Sequence, residues 1–228
     1  MKQCPSVHVH KRLCHQSGLS LIELLIAMTI LAVVTTMILM SWFALQRSYA
    51  STMKSDQARV DAREAATRMV MEIRAAQALP GTAVLAGGWM DTTNNREWID
   101  FWTTFNHPDE LLLTRYEYRW GTDAKGAVTG SIYRIVDVGS ADEQERLVVS
   151  NVVNGGVVNG DPTKPVFRYL SVDAYGTPSA SATIPTSQAL LARVSAVEIH
   201  LMVDLNPGKS PTYMDIRTTA QLRNQRQF

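Results

Sequence analysis

The feature that most constrains this chain is a long apolar run near its amino terminus. No residue between positions 24 and 45 carries a charge. As an α-helix rising ~1.5 Å per residue this run is about 33 Å long, against ~30 Å for the hydrocarbon core of a bilayer. Its few hydroxyl side chains are tolerated because they can donate hydrogen bonds to the carbonyl groups of the helix itself. The run therefore predicts a membrane-spanning helix.

One carboxylate, Glu23, stands at the start of this run. A charged side chain within an apolar span costs roughly 2.5–3.5 kcal/mol, so such a residue is by default a functional candidate. The alternative is a charge near the helix end whose side chain extends to the lipid headgroups. Gly18 lies five positions upstream, after a leader whose charged residues are Lys2, Lys11 and Arg12. The position of the glycine favours the functional interpretation.

Gly18 followed by Leu-Ser-Leu-Ile-Glu23 and the apolar run resembles the cleavage and methylation motif of type IV prepilins and type II secretion pseudopilins. The resemblance implies that a prepilin peptidase cuts between Gly18 and Leu19, and that Leu19 is then N-methylated. It also implies that Glu23 neutralises the amine of a neighbouring subunit during assembly. Removing one partner of such a buried pair costs ~3–5 kcal/mol. Leu19 replaces the usual Phe and Ser20 the usual Thr, and cleavage is still expected.

The basic leader, residues 1–18, is expected to stay in the cytoplasm and to place the C-terminal domain outside. It lacks the apolar segment of an ordinary secretory signal. Both cysteines lie in it, so the processed chain must fold without disulfides. The predicted location is the bacterial inner membrane, crossed once with the C-terminal domain in the periplasm, and afterwards a pilus or pseudopilus.

The helix is predicted to continue beyond the membrane and to end at Pro80-Gly81, because neither Pro nor Gly occurs between Leu19 and Leu79. An apolar stripe at helical spacing is expected to face a core, and charged residues are assigned to the opposite side. The stripe contains Ala58, Ala62, Ala65, Met69, Ile73 and Ala76, and the charged side contains Arg59, Arg63, Glu64, Arg68 and Glu72. The predicted division is a leader 1–18, a membrane and assembly half 19–45, an amphipathic half 46–80 and a β-rich domain 81–228.

The rest of the chain alternates apolar and polar residues with the period of two that is typical of strands. Strands are predicted at 98–104, 111–120, 131–138, 146–153, 166–170, 194–203 and 213–222. The last two are expected to form a hairpin, and segments 154–165 and 171–189 are predicted to be loops. One long helix followed by an antiparallel sheet predicts an α+β fold, which is the pilin-like fold that the resemblance implies.

No catalytic or phosphate-binding motif occurs, so the chain is not expected to be an enzyme or to carry a cofactor. His107 and His200 are predicted to be solvated. A net charge of +1 and the lack of a basic patch give no sign of nucleic-acid binding.

Two loops carry oxygen ligands that suit Ca²⁺, but their spacing matches no defined calcium loop, and exposed polar loops are the preferred interpretation. The loop residues are Asp91, Asn94 and Asn95, and Asp137, Asp142 and Glu143. Four aromatic residues are assigned to the core rather than to an exposed recognition patch. They are Trp89, Trp98, Phe101 and Trp102.

The resulting hypothesis is a minor pilin or pseudopilin at the tip or in the initiation complex of its filament. The C-terminal strand–turn–strand resembles W-like minor pilins and J-type pseudopilins. The implied partners are other pilins or pseudopilins, the prepilin peptidase, the inner-membrane assembly platform and the membrane itself. Two alternatives stay open: a single-pass anchor carrying an extracytoplasmic binding or enzymatic domain, and an adhesive or DNA-uptake tip pilin. The sequence does not decide between a secretion pseudopilus and a type IV pilus.

Overall fold

A computed structural model describes most of the chain as two compact units, Met1–Ala50 and Ser51–Phe228. The described residues are 20–80, 82–91, 94–105, 107, 109–122, 128–154, 164–172, 178–181, 188–205 and 213–222. Helix α1, Leu21–Arg74, has 54 residues and runs from the first unit into the second. The division of the chain at residues 18, 45 and 80 stays a prediction.

Helix α1 ends earlier than predicted. It was expected to reach Pro80, but it ends at Arg74. Gln77 forms an isolated antiparallel bridge with Trp102, and its backbone N–H donates to the Trp102 carbonyl at 2.8 Å. The chain therefore leaves the helix because pairing with the sheet supplies backbone hydrogen bonds, although no helix-breaking residue stands there.

The described part of the second unit forms one nine-stranded sheet, and its described strand pairs are antiparallel. The strands are β1 Leu85–Asp91, β2 Arg96–Thr103, β3 Leu112–Thr122, β4 Val128–Val136, β5 Gln144–Val152, β6 Phe167–Val172, β7 Pro178–Ser181, β8 Val194–Asp204 and β9 Tyr213–Gln221. A short helix, α2, spans Gln188–Leu191. The predicted α+β fold class is confirmed.

The strand order is β1-β2-β3-β4-β5-β8-β6-β7, and β9 pairs with β8. The hairpin of the last two strands is confirmed, with Ala196 opposite Gln221 and Asp204 opposite Tyr213 at its ends. The β5–β8 junction is short, because Val152 and Val203 are its only ladder pair among the described residues. The buried side chain of Asn154 reinforces it by donating to the His200 carbonyl at 2.6 Å and accepting from the Met202 N–H at 2.7 Å.

Two strands and one helix were not expected from the sequence. Strand β7 and the first two residues of helix α2, 188–189, fall in segment 171–189, so the prediction of a loop there is wrong for those residues. Strand β1 was missed because Gly87-Gly88 reads as a break. Gly88 instead permits a close approach: a Cβ at this position would lie 2.0 Å from the Tyr169 hydroxyl oxygen. Glycine in a strand interior often marks such an approach.

One hydrophobic core joins the second half of α1 to the inner face of the sheet. The predicted stripe on α1 is confirmed: Ala62, Ala65, Met69 and Ile73 are buried and Ala58 is half-buried, while Ala76, also buried, lies just beyond the end of the helix. The largest buried side chains of the sheet are Phe101, Tyr116, Tyr118, Ile132, Phe167, Ile199 and Leu201. The assignment of Glu72 to the solvated side of α1 is wrong, because its exposure is 0%.

Candidate functional site

The first residues that the structure describes form a reciprocal cap on helix α1. The Ser20 N–H donates to Glu23 Oε2 at 3.1 Å, and the Glu23 N–H donates to Ser20 Oγ at 3.3 Å. This is a capping box, and it satisfies two backbone donors at the helix start. The Ser-x-x-Glu spacing ahead of an apolar run is its sequence signature, which the sequence interpretation overlooked. Glu23 therefore has a local role, and a carboxylate keeps capacity for further donors.

Gly18 and Leu19, the predicted cleavage and methylation residues, lie outside the described residues. The peptidase cut, the methylation and the assembly role of Glu23 therefore stay predictions. What the structure adds is the helical start at Leu21, immediately after this pair.

In the apolar half of α1, no side chain is buried against the rest of the described chain. Exposed residues there include Leu31, Met40 and Trp42, at 66%, 70% and 57% of their surface. The hydroxyls of Thr29, Thr35 and Ser41 donate to carbonyls of the preceding helical turn at 2.7–2.9 Å, as predicted. By length and composition, α1 is the one described helix that can cross a membrane.

In the second unit a buried carboxylate joins α1 to the sheet. Glu72 Oε2 lies 2.7 Å from Arg134 Nε of β4, and Glu72 Oε1 lies 3.1 Å from Arg68 Nε. Tyr116 packs beside this group. The pKa of Tyr116 is raised well above its ordinary value, mainly by burial and to a smaller extent by the negative charge of Glu72. We name Glu72, Arg68 and Arg134 the inner ion cluster. The inner ion cluster therefore links α1 to β4 through a buried carboxylate with two guanidinium partners.

A second charged group, which we name the outer ladder, lies on the opposite face of β2–β5. Its members are Arg96, Asp100, Arg115, Glu117, Arg119 and Glu145. Glu117 is almost fully buried beneath arginines, with Arg119 Nε at 2.8 Å and Arg96 Nη1 at 3.3 Å. Arg119 also makes a two-pronged contact with Glu145, which together with Glu117 raises the pKa of Arg119. Each charge of the ladder is thus paired within the sheet.

The assignment of four aromatic residues to the core is right for one of them and wrong for another. Phe101 is fully buried. Trp98 lies instead on the outer face, where the Arg115 guanidinium carbon is 5.0 Å from its ring centroid. Trp102 is half-buried, and the side chain of Trp89 lies outside the described residues. Trp98 was misassigned because its face of β2 carries Asp100, whose partner Arg115 is fixed only by strand pairing.

His107 is exposed, as predicted, whereas the prediction for His200 is wrong. His200 is 5% exposed, and its Nε2 atom lies 2.9 Å from Asp215 Oδ1 of the neighbouring strand. Burial lowers the pKa of His200. His200 is therefore buried beside a side chain of β9, which alternation along β8 alone does not reveal.

Glu97 is a buried carboxylate that the sequence interpretation missed. Its two oxygens accept the backbone N–H groups of Phe167 at 2.7 Å and Val166 at 2.9 Å, so it links β2 to the start of β6. Burial raises the pKa of Glu97 to about 7, while the two hydrogen bonds oppose that shift. Alternation on β2 places Glu97 on the same face as Ile99 and Phe101. That pattern in the sequence could have predicted that Glu97 is buried.

The two loops considered for calcium use their carboxylates locally. Asp91 accepts the Asn94 backbone N–H at 3.1 Å and the Asn94 side-chain amide at 2.6 Å. Glu143 accepts the Gly139 N–H at 2.8 Å. Among the described residues, no group of three His, Cys, Asp or Glu side chains is placed to hold a metal ion.

Comparison with known proteins returns one partial match. A family model described as the prokaryotic N-terminal methylation motif matches residues 13–39, which include Gly18, Leu19 and Glu23. No curated protein and no solved structure matches the chain. The motif and the apolar helix together support a prepilin-like, membrane-anchored subunit.

Proposed function

We propose that this chain is a minor pilin or pseudopilin. It is cleaved after Gly18, N-methylated at Leu19 and assembled through α1 into a type II secretion pseudopilus or a type IV pilus. The observation that carries the proposal is that the methylation-motif match, residues 13–39, coincides with the start of a long helix whose apolar half has no buried residue among those described.

Before assembly the subunit is held in the inner membrane by the apolar half of α1, and its second unit lies in the periplasm. The prepilin peptidase and the assembly platform act on it there, and other pilins or pseudopilins then replace the lipid around α1. Replacement of lipid by helices is supported by the composition of this half, because its side chains suit both environments.

Assembly uses the charge of Glu23. The methylated amine of Leu19 in one subunit meets the Glu23 carboxylate of a neighbour, so that neither charge stays uncompensated in an apolar filament core. The capping box supports this role because it holds the carboxylate at the helix start, where the N-terminal dipole also favours a negative charge.

A position at the tip or in the initiating complex is supported by the size of the second unit. A nine-stranded sheet beside the helix is a broad head, which crowds a tightly wound filament. The long β8–β9 hairpin near the C-terminus supports likeness to W-like minor pilins and J-type pseudopilins. We propose no catalytic role and no cofactor for either unit.

The test is the N-terminal mass of the mature protein from membranes, with and without a co-expressed prepilin peptidase. The expected product begins at Leu19 and carries one added methyl group. Gly18→Ala is expected to block cleavage, whereas Leu19→Phe, which restores the family's usual residue, is cleaved. A chain that still begins at Met1 beside an active peptidase and a processed control prepilin would contradict the proposal and favour the anchored-domain alternative.

A further inference from the structure

Strand β9 is an open edge of the sheet in the second unit. It pairs with β8 without a register shift along its whole length, from Tyr213 to Gln221. Within the described residues no strand pairs with the other side of β9. The strand contains neither glycine nor proline. A long, regular edge of this kind is a template for pairing with a further strand.

The strands at the two ends of the sheet order, β1 and β7, are less suited to such pairing. Strand β7 has four residues and begins at Pro178, which has no backbone N–H to donate. Strand β1 contains Gly87-Gly88, and its register with β2 shifts between Leu85 and Gly87. Short length, proline and irregular register all protect a sheet edge from association. Strand β9 has none of these protections.

The backbone groups of β9 point alternately to β8 and to the open edge. The Leu222 N–H, just after the strand, donates to the Ser195 carbonyl of β8 at 2.9 Å. In an antiparallel ladder, even-numbered residues of β9 therefore bond to β8, and odd-numbered residues direct their N–H and carbonyl groups to the open edge. The odd-numbered residues are Tyr213, Asp215, Arg217, Thr219 and Gln221. Their side chains are exposed.

The charges on this edge match those of a second β9 strand. When two β9 strands pair antiparallel, odd-numbered residues must lie opposite odd-numbered residues, because these have the free backbone groups. The register centred on Ile216 then places Asp215 opposite Arg217 of the second copy, twice by symmetry. The neighbouring registers, centred on Asp215 or on Arg217, place one of these charges opposite its own copy, which is unfavourable. The edge is thus self-complementary in one register.

We propose that two copies of this chain form an antiparallel dimer through their β9 edges, in the register centred on Ile216. Four pairs of odd-numbered residues then exchange about eight backbone hydrogen bonds between the two sheets. Tyr213, which is 53% exposed, lies against Thr219 of the second copy, and an aromatic residue opposite a β-branched one stabilises a sheet. The contact buries this aromatic side chain and continues the sheet from one copy into the other.

The charged side chains are accessible for this contact. Within one chain, Asp215 lies 2.9 Å from His200 through Oδ1 and 3.4 Å from Arg217 through Oδ2. The Asp215 and Arg217 side chains are nevertheless 47% and 59% exposed. A carboxylate has about four acceptor positions, so Asp215 can accept from Arg217 of the second copy while it keeps these contacts.

The dimer goes beyond the proposed function. Its interface is isologous, so it closes with two copies and does not propagate into a filament. It is formed by the second unit alone, and it requires neither cleavage after Gly18 nor the charge of Glu23. The dimer is therefore a state of subunits outside the filament, and the N-terminal mass that tests the proposed function does not test it.

Disulfide crosslinking tests the register. The full chain is used in detergent with Cys4→Ser and Cys14→Ser, so that only introduced thiols react. Chains with Tyr213→Cys are mixed with chains with Thr219→Cys and mildly oxidised. The proposed register places these two Cα atoms about 5.5 Å apart, within the range for a disulfide. We expect crosslinked dimer from the mixture and at least about tenfold less from either variant alone, because identical positions lie about 20 Å apart.

Gln144→Cys, at an exposed position of β5, is the matched control for the crosslinking experiment. Mixed with Tyr213→Cys, it is expected to give at least about tenfold less crosslinked dimer than Thr219→Cys gives. Equal crosslinking to the control, or stronger crosslinking of Tyr213→Cys with itself, would overturn the proposed register.

Charge reversal tests the pairing by a second route, with the dissociation constant measured by sedimentation equilibrium in detergent. Asp215→Arg and Arg217→Asp each place like charges opposite each other, and we expect at least about tenfold weaker dimers. A mixture of the two variants restores opposite charges and is expected to recover the wild-type affinity within about threefold. Arg193→Asp, at an exposed arginine outside β9, is expected to change it less than about twofold. A monomeric wild type, dimers insensitive to both reversals, or a mixture no stronger than its components would overturn the proposal.

Discussion

The two ends of helix α1 place similar side chains in opposite environments. Near its start Leu31 and Met40 are two-thirds exposed or more, whereas Met69 and Ile73 near its end are fully buried in the core of the second unit. The second unit thus buries the apolar side chains of its part of α1 in its own core, whereas the described residues of the first unit leave theirs exposed. Apolar surface on that scale is stable only when lipid or other protein covers it. The comparison locates the need for outside partners in the first 50 residues.

The largest effect is expected where the second unit depends on a buried charge. Glu72→Ala leaves Arg134 without its partner, and we expect a loss of about 3–5 kcal/mol in the free energy of unfolding. Urea unfolding of the full chain in detergent, followed by the near-ultraviolet circular dichroism of the aromatic residues, measures it. Glu64→Ala on the exposed side of α1 is the control, with a change within about 0.5 kcal/mol. Equal stability of the two variants would contradict the role of the inner ion cluster.

Met69 and Met71 test the comparison at two positions in the same helical turn. Met69 is 0% exposed and Met71 is 53% exposed. Met69→Ala is therefore expected to lower the free energy of unfolding by about 2–5 kcal/mol, since it leaves a cavity in the core. Met71→Ala is expected to cost less than about 1 kcal/mol in the same urea titration. Similar losses would mean that the helix does not present one fixed face to the sheet.

Glu97 predicts a pH dependence confined to the second unit. Its folded-state pKa is about 7, against 4.5 ordinarily. The folded state therefore holds this proton more tightly than the unfolded state does. The contribution of Glu97 to stability is therefore greatest below pH 4.5 and falls by about 3 kcal/mol as the pH rises to 7.

The measurement for Glu97 compares unfolding midpoints of the wild type and Glu97→Gln from pH 4 to 8. The variant is expected to lose this slope, and Glu64→Gln is expected to keep it. A variant as pH-dependent as the wild type would assign the slope to other groups.

The comparison can also be tested by placing a charge in each of the two parts of α1. Val34→Arg, in the apolar run, is expected to disfavour membrane insertion by about 2.5–3.5 kcal/mol. Val60 is also exposed, at 58% against 46% for Val34, but lies in the second unit. Val60→Arg is expected to leave insertion unchanged. Carbonate extraction of membranes distinguishes the two, and equal extraction of both variants would argue against a membrane role for the run.

The smallest effect concerns the helix cap. Ser20→Ala removes the side-chain acceptor of the Glu23 N–H, and we expect about 1 kcal/mol less protection at the helix start. Amide hydrogen exchange of the first turn in detergent micelles reports it. Ser41→Ala, whose hydroxyl donates to the Met37 carbonyl within the helix, is the control and should leave the first turn unchanged.

Much of this fold follows from local patterns in the sequence. The α+β class, the apolar stripe of α1 and the hairpin of β8 and β9 were all predicted from local periodicity and turn residues. The unbroken run of helix formers also predicted α1, although the bridge between Gln77 and Trp102 ends it earlier. That bridge joins residues far apart in the chain, so no local pattern reveals it.

The buried polar groups could not be predicted for the same reason. Glu72 is buried because Arg134, 62 positions away, accompanies it, and Glu97 because it accepts amides 69 and 70 positions away. His200 is covered by Asp215 of β9. Charged residues were therefore assigned to solvent wherever their partners lay on another strand. At the amino terminus the motif is local, so its residues were recognised, and only the capping box was overlooked.

The outer ladder also affects the electrostatic potential of this surface at long range. Arg96, Arg115 and Arg119 are balanced by Asp100, Glu117 and Glu145, in contacts of 2.7–3.9 Å. Because opposite charges alternate over so short a range, the potentials of the ladder residues largely cancel within a few ångströms, and the ladder itself adds little long-range attraction for ions or charged polymers. Encounters with the ladder are therefore expected to depend only weakly on ionic strength. An approaching molecule is guided only by shape and by direct contact.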